Sequence, residues 1–215
     1  MNDIQRGSIE VASASVLERT RKAEIAKAVR REEILAAARR VFAKHGFRGT
    51  TIADIADEAG IALGTIYLYF PSKQEVFVAL NEEFNALIVA AMSDVPVAVS
   101  LDETTRQRVD NVFRACESNR DLVRLVVLNS DPDSDAAQRM RAADAARNGP
   151  MVAGIRAAMD AGFIRDGDAR IMTKLVNGLV SIAVYQAFIL ADGEDADTYR
   201  TACGDMIVSY LKPQQ

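Results

Sequence analysis

Residues 50–73 read TTIADIADEAGIALGTIYLYFPSK, and the fold is decided within this stretch. Thr51 suits a helix N-cap, and Asp54 three residues on completes a capping box. Ile52, Ile55, Ala56 and Ala59 then fall on one face of a first short helix. Gly60 sits where a tight turn needs a permissive backbone. A second helix is expected from about Leu63 to Tyr69, anchored by Ile66 and Phe70 one turn apart. Pro71 blocks its continuation, because the residue before a proline avoids the helical region. Ser72 and Glu75 form a second capping box, opening a longer helix to about Met92. Two short helices joined by a glycine turn make a helix-turn-helix.

On the N-terminal side, Val16 to His45 contains neither Gly nor Pro, so a preceding helix can begin well before the packed region. Its core set is Ile34, Leu35, Ala38, Val41 and Phe42, and Gly46 is expected to stop it. Met1 to about Ser15 is small and polar and is expected to be poorly ordered. On the C-terminal side, Ser93 to Leu101, with Pro96, reads as a connector. Helices are expected at about 102–118, 120–129 and 132–148, with a break or kink at Gly149-Pro150 and a further helix at 151–161 ended by Gly162. After a turn at 163–168, two more follow at about 168–191 and 195–211. No stretch alternates like a strand and no repeat is present. The fold class is therefore all-α, with three parts: an arm at 1–30 that is partly disordered or extends the first helix, a helix-turn-helix domain at 31–80, and a helical domain at 81–215.

Composition agrees. Hydrophobic residues are 49% and aromatics only 6%, so the core is mostly aliphatic. The net charge of −4 hides a polarised distribution. Arg19 to Arg48 carries a balance of +7, and the remainder sums to −11. A basic front on an acidic body fits a polyanionic partner; a merely solvated helix face is the alternative. Cys116 and Cys203 are far apart and suit a reduced cytoplasm better than a disulfide. No signal peptide is evident.

Reading base edges takes a helix presented N-terminus first, with phosphate donors on both sides. Leu63, Gly64 and Tyr67 lie away from the Ile66–Phe70 face. Gly64 costs a helix about 1 kcal/mol relative to Ala, which makes sense where a duplex approaches the backbone. Tyr67 and Tyr69 offer hydroxyls, although ordinary half-buried packing is the alternative for both. Lys73 and Thr51 each stand at the start of a helix, where free backbone N–H groups suit a phosphate.

These residues resemble the DNA-binding domain of the tetracycline-repressor (TetR/AcrR) family. The pattern is matched by Thr50, Thr51, Ile55, Ala56, Ala59, Gly60, Gly64, Thr65, Ile66, Tyr67, Tyr69, Phe70, Ser72, Lys73 and Val76, within about Arg31 to Leu80. The remaining two-thirds is similar only in architecture. The resemblance implies a homodimeric, one-component repressor whose variable C-terminal domain binds a small effector and pairs through its last two helices. It implies that Leu63 and Gly64 face bases and that Thr65 lies near a base edge or phosphate. It also implies that Thr51, Tyr67, Tyr69 and Lys73 hold phosphates, with Arg48 and Thr50 completing the set. The operator would be pseudo-palindromic double-stranded DNA. One departure is Ala62, where the family often has Ser; a lost side-chain cap costs about 1 kcal/mol. Leu63 has no hydrogen-bonding group, so its expected contact is a thymine methyl. Specificity then leans on DNA shape and on Arg48 or the basic arm, for which a minor-groove contact stays open beside a solvated face.

Leu175 to Ala191, LVNGLVSIAVYQAFILA, is uncharged. It is shorter than the ~20 residues of a membrane span and contains Asn177, Ser181 and Gln186, so a protein-covered helix is expected and no membrane partner. It suits the centre of a dimeric four-helix bundle beside the helix around Thr198–Leu211, with Gly178 and Ala183 permitting close approach. Burial within one subunit is the alternative. An effector cavity would be lined by Phe84, Leu87, Ile88, Phe113, Cys116, Leu125, Leu128, Met159 and Tyr185, although such residues are more often plain core. The scarcity of interior charge points to a mostly apolar effector. His45 is the only histidine and makes neither a metal site nor a triad. With no HExxH, GxSxG, phosphate loop or Cys/His cluster, neither an enzyme nor a cofactor is expected. The competing reading is a helical interaction protein whose helix-turn-helix no longer reads DNA specifically, favoured by Leu63 and the acidic body.

Overall fold

The computed structural model describes residues 3–93, 100–129 and 135–213. Among them all regular structure is helical: α1 (Asp3–Gly49), α2 (Ile52–Glu58), α3 (Leu63–Ile66), α4 (Lys73–Ser93), α5 (Leu101–Ser118), α6 (Arg120–Asn129), α7 (Asp135–Asp160), α8 (Ala169–Tyr185), a π-helical turn (Gln186–Leu190) and α9 (Ala196–Leu211). The chain divides into two compact units at Val76–Phe77, inside α4. The expected connector around Pro96 lies outside the described residues, as does the 132–134 start of the helix expected from Pro132.

In the first unit, Ile34, Leu35, Ala38, Val41 and Phe42 of α1 are buried with Ile55 and Ala56 of α2, Ile66, Phe70 and Val76. Each such aliphatic or aromatic side chain contributes about 1.5–3 kcal/mol by leaving water. Ile52 and Ala59, expected on the same face of α2, are only half-buried. Gly46 breaks the helical path as expected, with φ +68°, although helical hydrogen bonding resumes and carries α1 to Gly49. The stretch up to Ser15, expected to be poorly ordered, is helical from Asp3.

In the second unit, Val109, Val112, Phe113 and Cys116 of α5 pack with Met172, Val176, Ala183 and Val184 of α8, Phe188, and Cys203, Ile207 and Leu211 of α9. The Phe113 and Phe188 rings lie 5.8 Å apart. Two sequence expectations change here. Gly149-Pro150 does not end a helix: α7 continues through Pro150 to Asp160. A proline removes one helix donor; two residues before it, Asn148 Oδ1 accepts from Asn177 Nδ2 of α8 at 3.0 Å. The long helix expected to Ala191 loses its α geometry after Tyr185 and finishes as the π turn. Gly162, at φ +73°, does end α7. Phe163 N–H bonds the Ala158 carbonyl and Gly162 N–H the Met159 carbonyl, the pairing of a Schellman stop.

Candidate nucleic-acid interface

The reading unit is placed by caps. Asp54 N–H donates to Thr51 Oγ1 at 3.2 Å, while Thr51 N–H donates to Asp54 Oδ2 at 2.7 Å, so the capping box is reciprocal. The Thr51 hydroxyl also donates to that carboxylate at 2.8 Å. The backbone hydrogen bond from Thr51, then its hydroxyl, holds the Asp54 carboxyl below the ordinary aspartate range. At the other end of α2, Gly60 adopts φ +65° and Ile61 N–H reaches the Ala56 carbonyl at 3.0 Å. This left-handed residue turns the chain into α3. Ala62 caps α3 with extended backbone but no side-chain bond, as its identity dictates.

α3 is shorter than expected, with regular helix ending at Ile66 and turns running on to Tyr69. Ile66 and Phe70 are buried, and the Arg31 guanidinium lies 5.2 Å from the Phe70 ring centre. The opposite side is open. Leu63 is 46% exposed, Tyr67 is 49% exposed, and a Cβ on Gly64 would meet no atom within 4 Å. Thr65 and Tyr69 are half-buried; Arg48 and Thr51 are exposed. Leu68, 79% exposed, belongs to the same surface and was not among the expected residues. The signal for it was helical spacing, since Leu68 stands one turn from Gly64.

Two expected phosphate-facing residues are placed otherwise. Thr50 is 1% exposed, and its hydroxyl donates to the Gly46 carbonyl at 2.8 Å, so its side chain closes the kink at the end of α1. Lys73 is half-buried and donates to the carbonyls of Phe47, at 2.7 Å, and Thr50, at 2.6 Å. Its ammonium also lies 4.6 Å from the Phe47 ring centre. Two of its three protons are thereby committed within the unit, leaving one. Glu75 N–H bonds Ser72 Oγ at 3.2 Å, supplying half of the second capping box.

Arg19, Arg21, Lys22, Lys27 and Arg30 lie on the exposed helical extension of α1. A helix is ~10–12 Å across and the minor groove ~6 Å wide, so in this form the extension is too broad for the minor-groove floor.

The expected effector residues separate. Phe113 and Cys116 are buried in the apolar cluster, against which Phe84, Ile88 and Met159 pack while partly exposed. Leu87 and Tyr185 are half-buried outside it, and Leu125 is buried outside it. Leu128 is 57% exposed and is no lining residue, because α6 turns Leu122, Val123, Leu125 and Val126 inward instead. Burial pushes the Cys116 thiol up to about 12 and Cys203 to about 11, and neither is bonded. A groove of about 530 Å³ opens elsewhere, between α5 and α9, lined by Asp102, Glu103, Arg106, Asp110, Arg200 and Gly204 among others. Its arginines are satisfied by Asp205, Asp110 and Asp197.

The long apolar helix is two-faced. Met172, Val176, Ala183 and Val184 point inward, so Ala183 serves its own subunit rather than a close approach to another. Ile171, Leu175 and Ile182 are half or more exposed, with Gly178 open between them and Leu190 following. The segment Ala169–Leu190 is long and apolar enough to cross a membrane by length and composition alone, and 39% of its apolar 18-residue window is buried here.

Comparison with known proteins follows the same division. Residues 34–80 match the family described as bacterial regulatory proteins, tetR family. The chain is 38% identical over 88 residues to the transcriptional repressor KstR2 of Mycobacterium tuberculosis, covering 40% of this chain and 42% of that protein. It is 33% identical over 102 residues to the transcriptional repressor AcnR of Corynebacterium glutamicum, covering 40% of this chain and 54% of that one. The chain thus spans about half the length of these curated relatives or less. Among solved structures, the regulator FadR of Bacillus subtilis, in complex with stearoyl-CoA, superposes with TM-score 0.73 at 20% identity, covering 84% of this chain and 98% of that one. A regulator from Haloarcula marismortui gives 0.71 at 24%, covering 86% and 100%. These establish the fold. Residues 34–80 thus carry the helix-turn-helix of the family described as bacterial regulatory proteins, tetR family.

Proposed function

We propose that this protein is a homodimeric DNA-binding repressor released from a pseudo-palindromic operator by a small, mostly apolar effector. The observation that carries the reading is the open face of α3. Leu63, Gly64, Tyr67 and Leu68 stand exposed on a unit whose caps and buried anchors fix it rigidly. A monomer gains little from such a face without doubling the contact. The exposed stripe Ile171, Leu175, Gly178 and Ile182 on α8, with Met206 on α9, supplies an isologous surface for that purpose. Dimerisation there presents two reading helices, which engage successive half-sites only when about one helical turn apart, ~34–36 Å.

Leu63 and Leu68 would meet thymine methyl groups, Gly64 would admit the duplex to the backbone, and Arg48, Thr51, Tyr67 and Tyr69 would hold phosphates. Lys73 takes a positioning role, tying the end of α1 to the start of α4. An effector that prefers another separation of the reading helices lowers DNA affinity by the same coupling with which DNA lowers effector affinity. α4 begins in the reading unit and ends in the other, so it is the covalent path for that coupling. FadR, of similar fold, was solved with stearoyl-CoA, and an acylated ligand fits the apolar character of the cluster beside α4.

The test is selection of binding sites from a random duplex library, followed by titration at two salt concentrations. Enrichment of an inverted repeat bound by a dimer supports the reading. Binding that stays equal across all sequences would leave a helical interaction protein instead.

A further inference from the structure

The last turn of the long apolar helix carries a register that the helix itself does not dictate. On α8, Ile171, Leu175, Gly178 and Ile182 form the exposed stripe, stepping by four, three and four residues. An α-helix returns to the same face after two turns, about seven residues, which from Ile182 would bring round Ile189. The π turn Gln186–Leu190 takes up one residue more. Leu190 arrives on the stripe instead, 61% exposed, and Ile189 turns partly inward against the apolar cluster. The two registers differ by one hydrogen-bond step, and each would end the surface with a different side chain.

What holds the longer turn comes from α6. Ala191 N–H donates to the Gln186 carbonyl at 3.0 Å and Gly193 N–H to the Ala187 carbonyl at 2.7 Å, closing the wide turn. Asp192 stands at φ +49° and Gly193 at φ +89°, left-handed backbone that an ordinary residue rarely adopts. Over both lies Arg120, the first residue of α6. Its Nη1 donates to the Asp192 carbonyl at 3.0 Å, and its guanidinium carbon lies 5.6 Å from the ring centre of buried Phe188. A Cβ on Gly193 would collide with Arg120 Nη1 at 2.7 Å, with Cζ at 2.8 Å and with Nη2, so the guanidinium fills the space that glycine leaves. Nη2 is steadied by Glu117 Oε1 at 3.3 Å. One turn on, Arg124 Nη1 donates to Asp192 Oδ1 at 2.8 Å, but this pair is open to water and contributes little. Arg120 is the side chain on which the turn depends.

We propose that Arg120 is a positioning residue that holds the end of α8 in its π register, so that α6 decides whether Leu190 or Ile189 completes the self-pairing stripe. A shift of α6 that withdraws the guanidinium lets the turn close by one residue, bringing Ile189 outward and carrying Leu190 past the stripe toward the buried side. The inference rests on pairing through α8 and α9. It adds a route from α6 to the pairing surface that does not pass through α4.

The experiment is maleimide labelling of the full chain carrying Leu190→Cys or Ile189→Cys, in dilute solution, beside sedimentation over a range of concentration. Cys116 and Cys203 are buried, their thiols pushed up to about 12 and about 11, so they label slowly. The Leu190→Cys thiol is expected to label about tenfold or more faster than that of Ile189→Cys. Adding Arg120→Met should slow the first and speed the second, and weaken self-association about fivefold, the worth of one hydrogen bond. Arg120→Lys should keep most of the natural behaviour, and Arg124→Met should change it by less than about twofold. A merely loosened fold would speed both thiols. Both speeding together in the Arg120→Met protein, or neither changing, overturns the proposal. So do equal rates with Arg120 in place, a comparison that needs no Arg120 variant to fold. A chain monomeric at every concentration removes the pairing reading and this one with it, whereas a dimer indifferent to Arg120→Met sinks this one alone.

Discussion

Replacing Lys73 by Met separates two jobs that one lysine could hold. In the structure its ammonium donates to the Phe47 and Thr50 carbonyls, 26 and 23 residues away in the chain, and lies over the Phe47 ring. Charge-assisted hydrogen bonds contribute about 1.5–3 kcal/mol each. Discounting the two by about half for the partly exposed setting leaves roughly 1.5–3 kcal/mol, and the ring contact adds about 0.5–1 kcal/mol. Methionine keeps the apolar stem, so the loss belongs to the ammonium, about 2–4 kcal/mol in all. At about 2–4 °C per kcal/mol for a chain of this size, the melting midpoint falls by about 4–16 °C. The assay is urea unfolding followed by circular dichroism, beside DNA titration over a range of salt. A residue spent on positioning changes stability and leaves the slope of log K against log salt nearly fixed. A phosphate contact does the reverse, lowering the slope by about 0.9. A stability change under about 0.5 kcal/mol, with the slope reduced by about 0.9, refutes the reasoning.

Three further outcomes follow from named side chains. Gly64→Ala adds a methyl into open space on a helix, so stability should rise by about 1 kcal/mol while DNA affinity drops; a gain in both moves Gly64 off the interface. The Asp54 carboxyl is held below its ordinary value of 3.8, so its contribution is complete above that value and disappears as pH falls through the lowered one. Asp54→Asn should therefore be less stable at neutral pH and converge with the natural chain in urea titrations below about pH 4; a gap that persists into stronger acid contradicts the assignment. Leu175→Glu places a charge on the exposed α8 stripe and should give a folded monomer by light scattering, and an unchanged mass would place the dimer contact elsewhere.

The local devices were legible in the sequence because their chemistry is local. Thr51 with Asp54, Gly60 before the turn, and Gly162 after α7 each act within about five residues. Some of what the sequence left unread has one physical cause, a partner distant in the chain. The two carbonyls that Lys73 serves, at and just beyond the end of the first helix, are 26 and 23 residues away, so no local pattern shows them. At Pro150 a break or a kink was open from the sequence, and the helix runs on, with the Asn177–Asn148 bond beside it spanning two elements. Thr50 matched a pattern position, and a pattern does not tell a hydroxyl that faces solvent from one that closes a kink.

On the proposed function, the exposed face around α3 limits how DNA is discriminated. A bidentate side chain on a base edge gives about 1–3 kcal/mol against a wrong base, and α3 presents none: Leu63, Gly64 and Leu68 have no hydrogen-bonding side-chain atoms. Thr65 and Tyr67 offer single hydroxyls. Discrimination per half-site is then modest, and shape and spacing supply the rest. Spacing is the term an effector can change, because it is a property of two subunits and not of any base contact. A regulator with a plain reading face thus concentrates its specificity in the geometry that ligand binding perturbs. A small shift in separation then costs it proportionally more affinity than it would cost a protein held by strong base contacts. The same logic explains why placement is so heavily secured, by a reciprocal cap, a left-handed glycine and an inward lysine, around a surface with so little chemistry of its own.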